Sequence, residues 1–278
     1  MIFCKELNKE FETKEEVLQE LKTHLKQITL AKKATIKKAD AFPMFWGGEK
    51  NGTTKANEEP TELKYGDYIY PVINTTLYLD SHQDVHLDGI WNKSAKEQAG
   101  KVSLIINHDF RVGKVISFPN EVEPMVKRMK WKDLGRSYEG ETEALIFKAL
   151  LTEDSNDTGF RYYKNRRPVE HSICMEYVKI HLAVDSDDED WKEERNNWEK
   201  YLPLVVNPEK AIQMGYFWAV AEAKIHKEGS MVLRGSNDVT PTLYDIGAEK
   251  ITPEKEEPTK VTPERMQKIN ELINLTKF

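Results

Sequence analysis

Two short runs carry the residue types from which a nucleophilic hydrolase is built. Leu104-Ile105-Ile106-Asn107-His108-Asp109 closes an apolar stretch with a polar trio, and Val169-Glu170-His171-Ser172-Ile173-Cys174 places a hydroxyl inside a strand-like run. Hydrolysis through a covalent intermediate needs a hydroxyl or thiol, a base within hydrogen-bond reach and a group that orients the base, usually drawn from distant parts of the chain. Each run alone signals little, because a His at a strand end and a Ser within a strand are ordinary structural residues. Neighbours on a strand face opposite sides of the sheet, so His171 looks away from Ser172 and is expected to be structural. Cys174 shares the Ser172 face and would be a nucleophile as a thiolate, but a buried structural Cys is the expectation. Asp109 adjoins His108 too closely to orient its imidazole in an extended chain and reads as a turn residue.

Other constellations yield to arithmetic. His82, Asp84, His86 and Asp88 alternate, which on a strand puts all four on one face. At about 3.3 Å per residue the outer pair stands roughly 20 Å apart, whereas zinc holds its ligands within about 2.2 Å, so no metal is expected. The acidic stretch 185–190 lacks the spaced ligands and central Gly of a calcium loop and reads as a solvated loop. Lys32, Lys33, Lys37 and Lys38 are expected to complement a helix dipole on an exposed face, with an acidic partner as the alternative.

The elements that must position these residues follow from periodicity. Thr13 and Glu16 form a capping box before Val17, Leu18, Leu21, Leu25 and Ile28, which predicts an amphipathic helix to about Lys38. Residues 42–60, with Phe45 and Trp46, read as a linker. The stretches 67–79, 102–107, 144–152, 169–183 and 231–233 are strand-like and predict a mostly antiparallel β domain. The latter part of 185–201 and the segment 208–218 read as helices inserted into it. After Gly247 the chain is punctuated by Pro253, Pro258 and Pro263 and ends in an amphipathic segment with Met266, Ile269, Leu272 and Ile273. That segment reads as a tethered tail outside the core.

Bulk properties narrow the class. With 278 residues, 39% hydrophobic and 32% charged, the chain can bury a real core. A formal charge of −6 argues against a nucleic-acid-binding module, for which the lysines of the first helix, Trp46 and Tyr68 are the sole support. Cys4 and Cys174 lie far apart and form no CxxC pair, as in a reducing compartment. There is no signal-like apolar segment near Met1, nor a run approaching the roughly 18 apolar residues of a membrane span, so no membrane partner is expected.

Taken in order, INHD followed by VGKVISF, then EHSICMEYVKI, then EGSMVLRGSNDVTPTL resemble the signature blocks of caudoviral prohead (head-maturation) serine proteases. The earlier TLYLDSHQDVHLDGIW resembles that family's opening hairpin, and the likeness runs over roughly residues 70–243. It implies an α+β, mostly antiparallel β-barrel of the herpesvirus-assemblin type with flanking helices. It also implies a serine endopeptidase that cleaves scaffold and major capsid proteins, and itself, inside the assembling prohead in the host cytoplasm. Carried over by position, the nucleophile is Ser172 and the base His108. The acidic residue before EGS matches Glu222 if one residue is inserted, with Glu228 and His226 as alternatives. Cys174 departs from the family's usual glycine. Arg234 is a candidate to assist the oxyanion. No cofactor is implied, and activation by association makes a homo-oligomer the expectation. The chain thus divides into a helical extension and linker (1–60), a protease barrel (61–246) with an insertion at 185–218, and a tail (247–278). The competing reading is a catalytically inactive protein that keeps the fold for capsid assembly.

Overall fold

The computed structural model describes residues 1–37, 62–246 and 261–275, and its architecture is α+β. The linker expected at 42–60, with Phe45 and Trp46, and Lys38, Gly247, Pro253 and Pro258 fall outside the described residues.

A hairpin of β1 (Ile2–Cys4) and β2 (Lys9–Phe11) leads into α1 (Lys14–Ala34). Thr13 caps the helix: its Oγ1 accepts the Glu16 N–H at 3.2 Å, satisfying one of the donors a helix start leaves unpaired. The helix ends at Ala34, short of the expected Lys38, because Thr35 is already extended and Lys37 pairs as a β-bridge with Met175. Val17, Leu18, Leu21 and Ile28 are buried in the main core, so α1 is packed into the body of the protein.

Two sheets follow. The first contains β4 (Asp84–His86), β5 (Ser103–Ile106), β6 (Val115–Ser117), β9 (Glu170–Val184) and β10 (Tyr216–Val232). The second runs in the order β11 (Thr242–Leu243), β3 (Tyr68–Thr75), β8 (Glu141–Leu150), β7 (Val122–Lys130). The helices are completed by α2 (Asn92–Gln98), α3 (Asp157–Lys164), α4 (Lys192–Tyr201), α5 (Glu209–Met214) and α6 (Pro263–Leu275).

β10 is the spine. Along one edge it pairs antiparallel with β9; along the other it pairs in parallel with β4 near its start and with β5 near its end. Between those two short strands α2 fills the gap, and Ser94 Oγ accepts the Ile225 N–H at 2.8 Å where no strand partner stands. This interruption bears on the expected barrel: among the described residues the pairings form separate sheets, one of them mixed, and none closes on itself. The two larger sheets share one core, with Ile73, Leu145 and Phe147 on one side and Ile173, Val220 and Met231 on the other. They meet so closely at Gly229 that a Cβ there would lie 2.8 Å from Phe147.

Three local expectations change. Residues 208–218 are not one helix: α5 stops at Met214, Gly215 adopts the left-handed cap at φ 74°, and Tyr216-Phe217-Trp218 enter β10. β7 went unread because Pro124 and four cations and acids break its alternation, and it can carry Pro because it is an edge strand. The tail segment is docked: Ile269 of α6 is buried in a second cluster with Trp198, Leu202 and Phe217.

Candidate active site

β9 and β10 place Ser172 directly opposite Ser230. Directly opposed residues of an antiparallel pair share a face, with Cβ atoms about 4.5–5.5 Å apart, so the two hydroxyls belong to one side of the sheet. The opposite side is core: Ile173 and Met231 pack there, and His171 opposes Met231.

His108 arrives from β5. That strand runs parallel to β10 as far as Ile106, opposite Met231. Asn107 and His108 then both take left-handed backbone, each at φ 54°, a conformation that Asn and His tolerate better than most residues. The chain therefore turns back over the strand it has just followed. The His108 N–H donates to Ser230 Oγ at 2.9 Å, and its ring Nδ1 lies 2.6 Å from Glu228 Oε1. The His108 side chain is 6% exposed and that of Glu228 is 2% exposed, so this ion-pair geometry is shielded from bulk water.

A bulge brings Glu228 into reach. The β9–β10 register slips between Ile225 and Gly229, so that three residues of β10, His226 to Glu228, oppose Cys174 alone, and Lys227 is left-handed at φ 65°. Bulges of this kind re-aim side chains near functional sites.

The third-residue expectation is corrected by this geometry. Glu222 sits six residues earlier on β10, on the order of 20 Å along the strand at ordinary rise. Its half-exposed carboxylate meets Lys93 at 3.4 Å instead. His226 faces Glu176 at 3.9 Å. Glu228 is the candidate brought to His108. Ser230 was not singled out from the sequence, although it follows Glu228 by two and so shares its face.

The remaining residues take quieter places. His171 is fully enclosed, with Nδ1 2.8 Å from the Thr240 carbonyl and Nε2 3.1 Å from Tyr163 Oη; burial lowers its pKa to about 4. Cys174 is buried and takes no part in a disulfide. Asp109 is a turn residue whose carboxylate pairs with Arg111, and Arg234 is exposed just beyond β10. The outer edge of β9 is met at Met175 by Lys37, through backbone bonds of 2.8 and 3.1 Å, and at His171 by Thr240 Oγ1 at 2.9 Å.

The alternating His82-to-Asp88 run does not form one strand face. Gln83 is left-handed at φ 64°, and β4 covers Asp84 to His86 alone. Asp84 is wholly buried and accepts Lys32 and Lys37 at 2.6 Å each and Tyr177 Oη at 2.7 Å. Burial would raise its pKa, but the two ammonium groups outweigh that and hold the carboxyl far below the usual range. Lys32 and Lys37 are therefore internal counter-ions, where a solvated helix face was expected. His86 bonds Asn74 Oδ1 at 3.0 Å and Tyr177 Oη at 3.3 Å. Among the described residues no group of His, Cys, Asp or Glu is arranged to hold a metal ion, and no helix is long and apolar enough to cross a membrane.

Compared with known proteins, the chain matches no family model, no curated protein and no solved structure.

Proposed function

We propose that the chain is a serine endopeptidase of the prohead-maturation kind, with Ser172 as nucleophile, His108 as general base and Glu228 as the residue that orients the base. The observation that carries this reading is the 2.6 Å contact between Glu228 and His108 Nδ1, made on the strand face that also bears Ser172. With Nδ1 held by a carboxylate, the base chemistry falls to Nε2. It takes the Ser172 proton as Oγ attacks the scissile carbonyl and returns it to the leaving amine; Glu228 stabilises the imidazolium formed in between.

The substrates on this reading are scaffold and major capsid proteins, and the chain itself, cleaved within the assembling prohead in the host cytoplasm; the enzyme works as a homo-oligomer. An assemblin-type barrel, with the two facing sheets as its halves, belongs to the same proposal. No cofactor enters the chemistry. Exposed Phe110, Val112 and Leu233 stand where β5 and β10 leave the sheet beyond His108 and offer an apolar margin for an extended peptide.

The test is co-expression with the scaffold and capsid proteins of the same head, read by mass spectrometry of the products. Wild type should trim them, and Ser172→Ala should leave every terminus intact while the protein still folds. Trimming that survives Ser172→Ala removes the assignment; intact termini with both proteins, together with normal head assembly, favour the assembly-protein reading.

A further inference from the structure

We infer that Ser230 is a positioning residue of this site, which fixes the imidazole and the backbone of His108 together and is not itself the nucleophile. The inference rests on the serine-hydrolase reading above and goes beyond it in assigning different roles to two buried serines that share one strand face.

Hydrogen-bond inventory forces the assignment. Ser230 Oγ lies 2.9 Å from the His108 backbone nitrogen and 2.9 Å from Glu228 Oε2. An amide N–H can only donate, and an ionised carboxylate can only accept. The Ser230 oxygen therefore accepts from His108, and its single proton goes to Glu228. The other carboxylate oxygen of Glu228 is engaged by His108 Nδ1 at 2.6 Å. The bonds close a ring that begins and ends on one residue: from the His108 amide through Ser230 and Glu228 back to the His108 imidazole.

Two consequences follow from that ring. Asn107 and His108 lie consecutively in left-handed backbone, a conformation that costs energy away from glycine and persists where neighbours hold it. The Ser230 bond to the His108 amide supplies that hold, while the bond to Glu228 selects the carboxylate rotamer that meets Nδ1. Ser230 is also fully buried, with its proton committed to an anion, and a hydroxyl so engaged is not poised for attack. Across the strand pair Ser172 shows no such bond to Glu228.

The probe is a fluorophosphonate, which reports an activated serine without knowledge of the peptide substrate: Ser Oγ forms a bond to phosphorus, fluoride leaves, and the hydroxyl proton passes to the base. Peptide mapping of the labelled wild-type protein should place the adduct on Ser172; an adduct on Ser230 overturns the inference without requiring any variant to fold. In Ser230→Ala the maximal labelling rate should fall by about 10- to 100-fold, as expected of a small misplacement of a base, while the concentration for half-maximal rate stays within about twofold. The Nδ1–H and backbone amide proton resonances of His108 should both move. A labelling rate within twofold of wild type, or a reduced rate with both resonances unmoved, overturns the inference. If neither serine labels at all, the hydrolase reading fails by itself, and the two resonances in Ser230→Ala still decide whether Ser230 holds His108.

Discussion

A carboxylate at Nδ1 earns its place by what it does to the other nitrogen. It fixes the neutral imidazole as the tautomer whose Nε2 carries a lone pair, and it stabilises the cation that forms when that lone pair takes a proton. An amide in the same position can point either its oxygen or its NH2 at Nδ1, and it carries no charge. Glu228→Gln is therefore expected to lower the rate of peptide cleavage, or of fluorophosphonate labelling, by about 10²- to 10⁴-fold with little change in stability. Glu222→Gln, which touches Lys93 at 3.4 Å, should stay within about twofold. Equal losses in the two variants, measured side by side, would sink the assignment of Glu228. At this scale the sequence was legible for residue type and face but not for distance. Glu222, His226 and Glu228 all occupy even positions on one strand, and strand parity cannot rank them. Two features rank them instead: the slipped register at His226 to Glu228 and the left-handed turn at Asn107-His108. The polar Asn107-His108-Asp109 trio was the visible trace of the turn, and nothing in the sequence displayed the bulge.

The first helix shows how an element can be read correctly in outline and wrongly in role. Its cap and its apolar stripe were legible because both are local: Thr13 and Glu16 lie three apart, and the core residues recur at helical spacing. The fate of its lysines was not, since Asp84 is 52 residues from Lys32 in the chain, and nothing local distinguishes a lysine with a buried counter-ion from one in water. The pairing has a large mechanical consequence. Lys32 and Lys37 reach Asp84 from the end of α1, Tyr177 reaches it from β9, and the backbone of Lys37 bridges Met175, three residues from Ser172. Removing the anion leaves Lys32 with Glu6 alone, at 3.3 Å, and takes from Lys37 the carboxylate it meets at 2.6 Å, and breaking a buried ion pair from one side costs about 3–5 kcal/mol. Asp84→Asn should therefore lower stability by about that amount in urea unfolding, and protease nicking should appear near residue 35 as the end of α1 detaches from β9. A loss of under about 1 kcal/mol with no new cleavage would show that the cluster does not anchor the helix. Asp84→Asn should also slow labelling of Ser172, because β9 carries both Ser172 and Tyr177, the residue through which Asp84 holds that strand.

At the level of the whole molecule, the placement of β9 between β10 and the contacts made along its outer edge by Lys37 and Thr240 couples the site to acid stability. His171, the residue before Ser172, is completely buried, and its neutral ring is fully used. The Thr240 carbonyl can only accept, so Nδ1 carries the proton, and Nε2 accepts from Tyr163. Tyr163 remains a donor, because burial pushes its own ionisation well above the ordinary tyrosine value. Burial disfavours the imidazolium of His171 and lowers its pKa from 6.5 to about 4, with the Thr240 carbonyl opposing the shift. In the unfolded chain the same ring titrates near its ordinary value. Between those two values the unfolded state binds the proton and the native state does not, so stability rises with pH across the window. The contribution is complete above about pH 6.5, declines as the pH falls towards 4, and is flat below that. At 1.36 kcal/mol per unit, the whole decline amounts to about 3 kcal/mol. His86 is also buried with a lowered pKa and adds to the trend in the same sense, so the wild-type curve alone does not isolate His171. His171→Gln removes the titrating group, and the difference between the two proteins in urea-unfolding free energy should shrink by about 3 kcal/mol from pH 6.5 to 4. Parallel curves across that interval would mean that His171 is protonated in the native state or reaches water. If the difference does shrink, acid loosens β9 at the position next to Ser172, and labelling of Ser172 should be lost on acidification and return when neutral pH is restored, at a pH where α1, anchored through Asp84, is still in place.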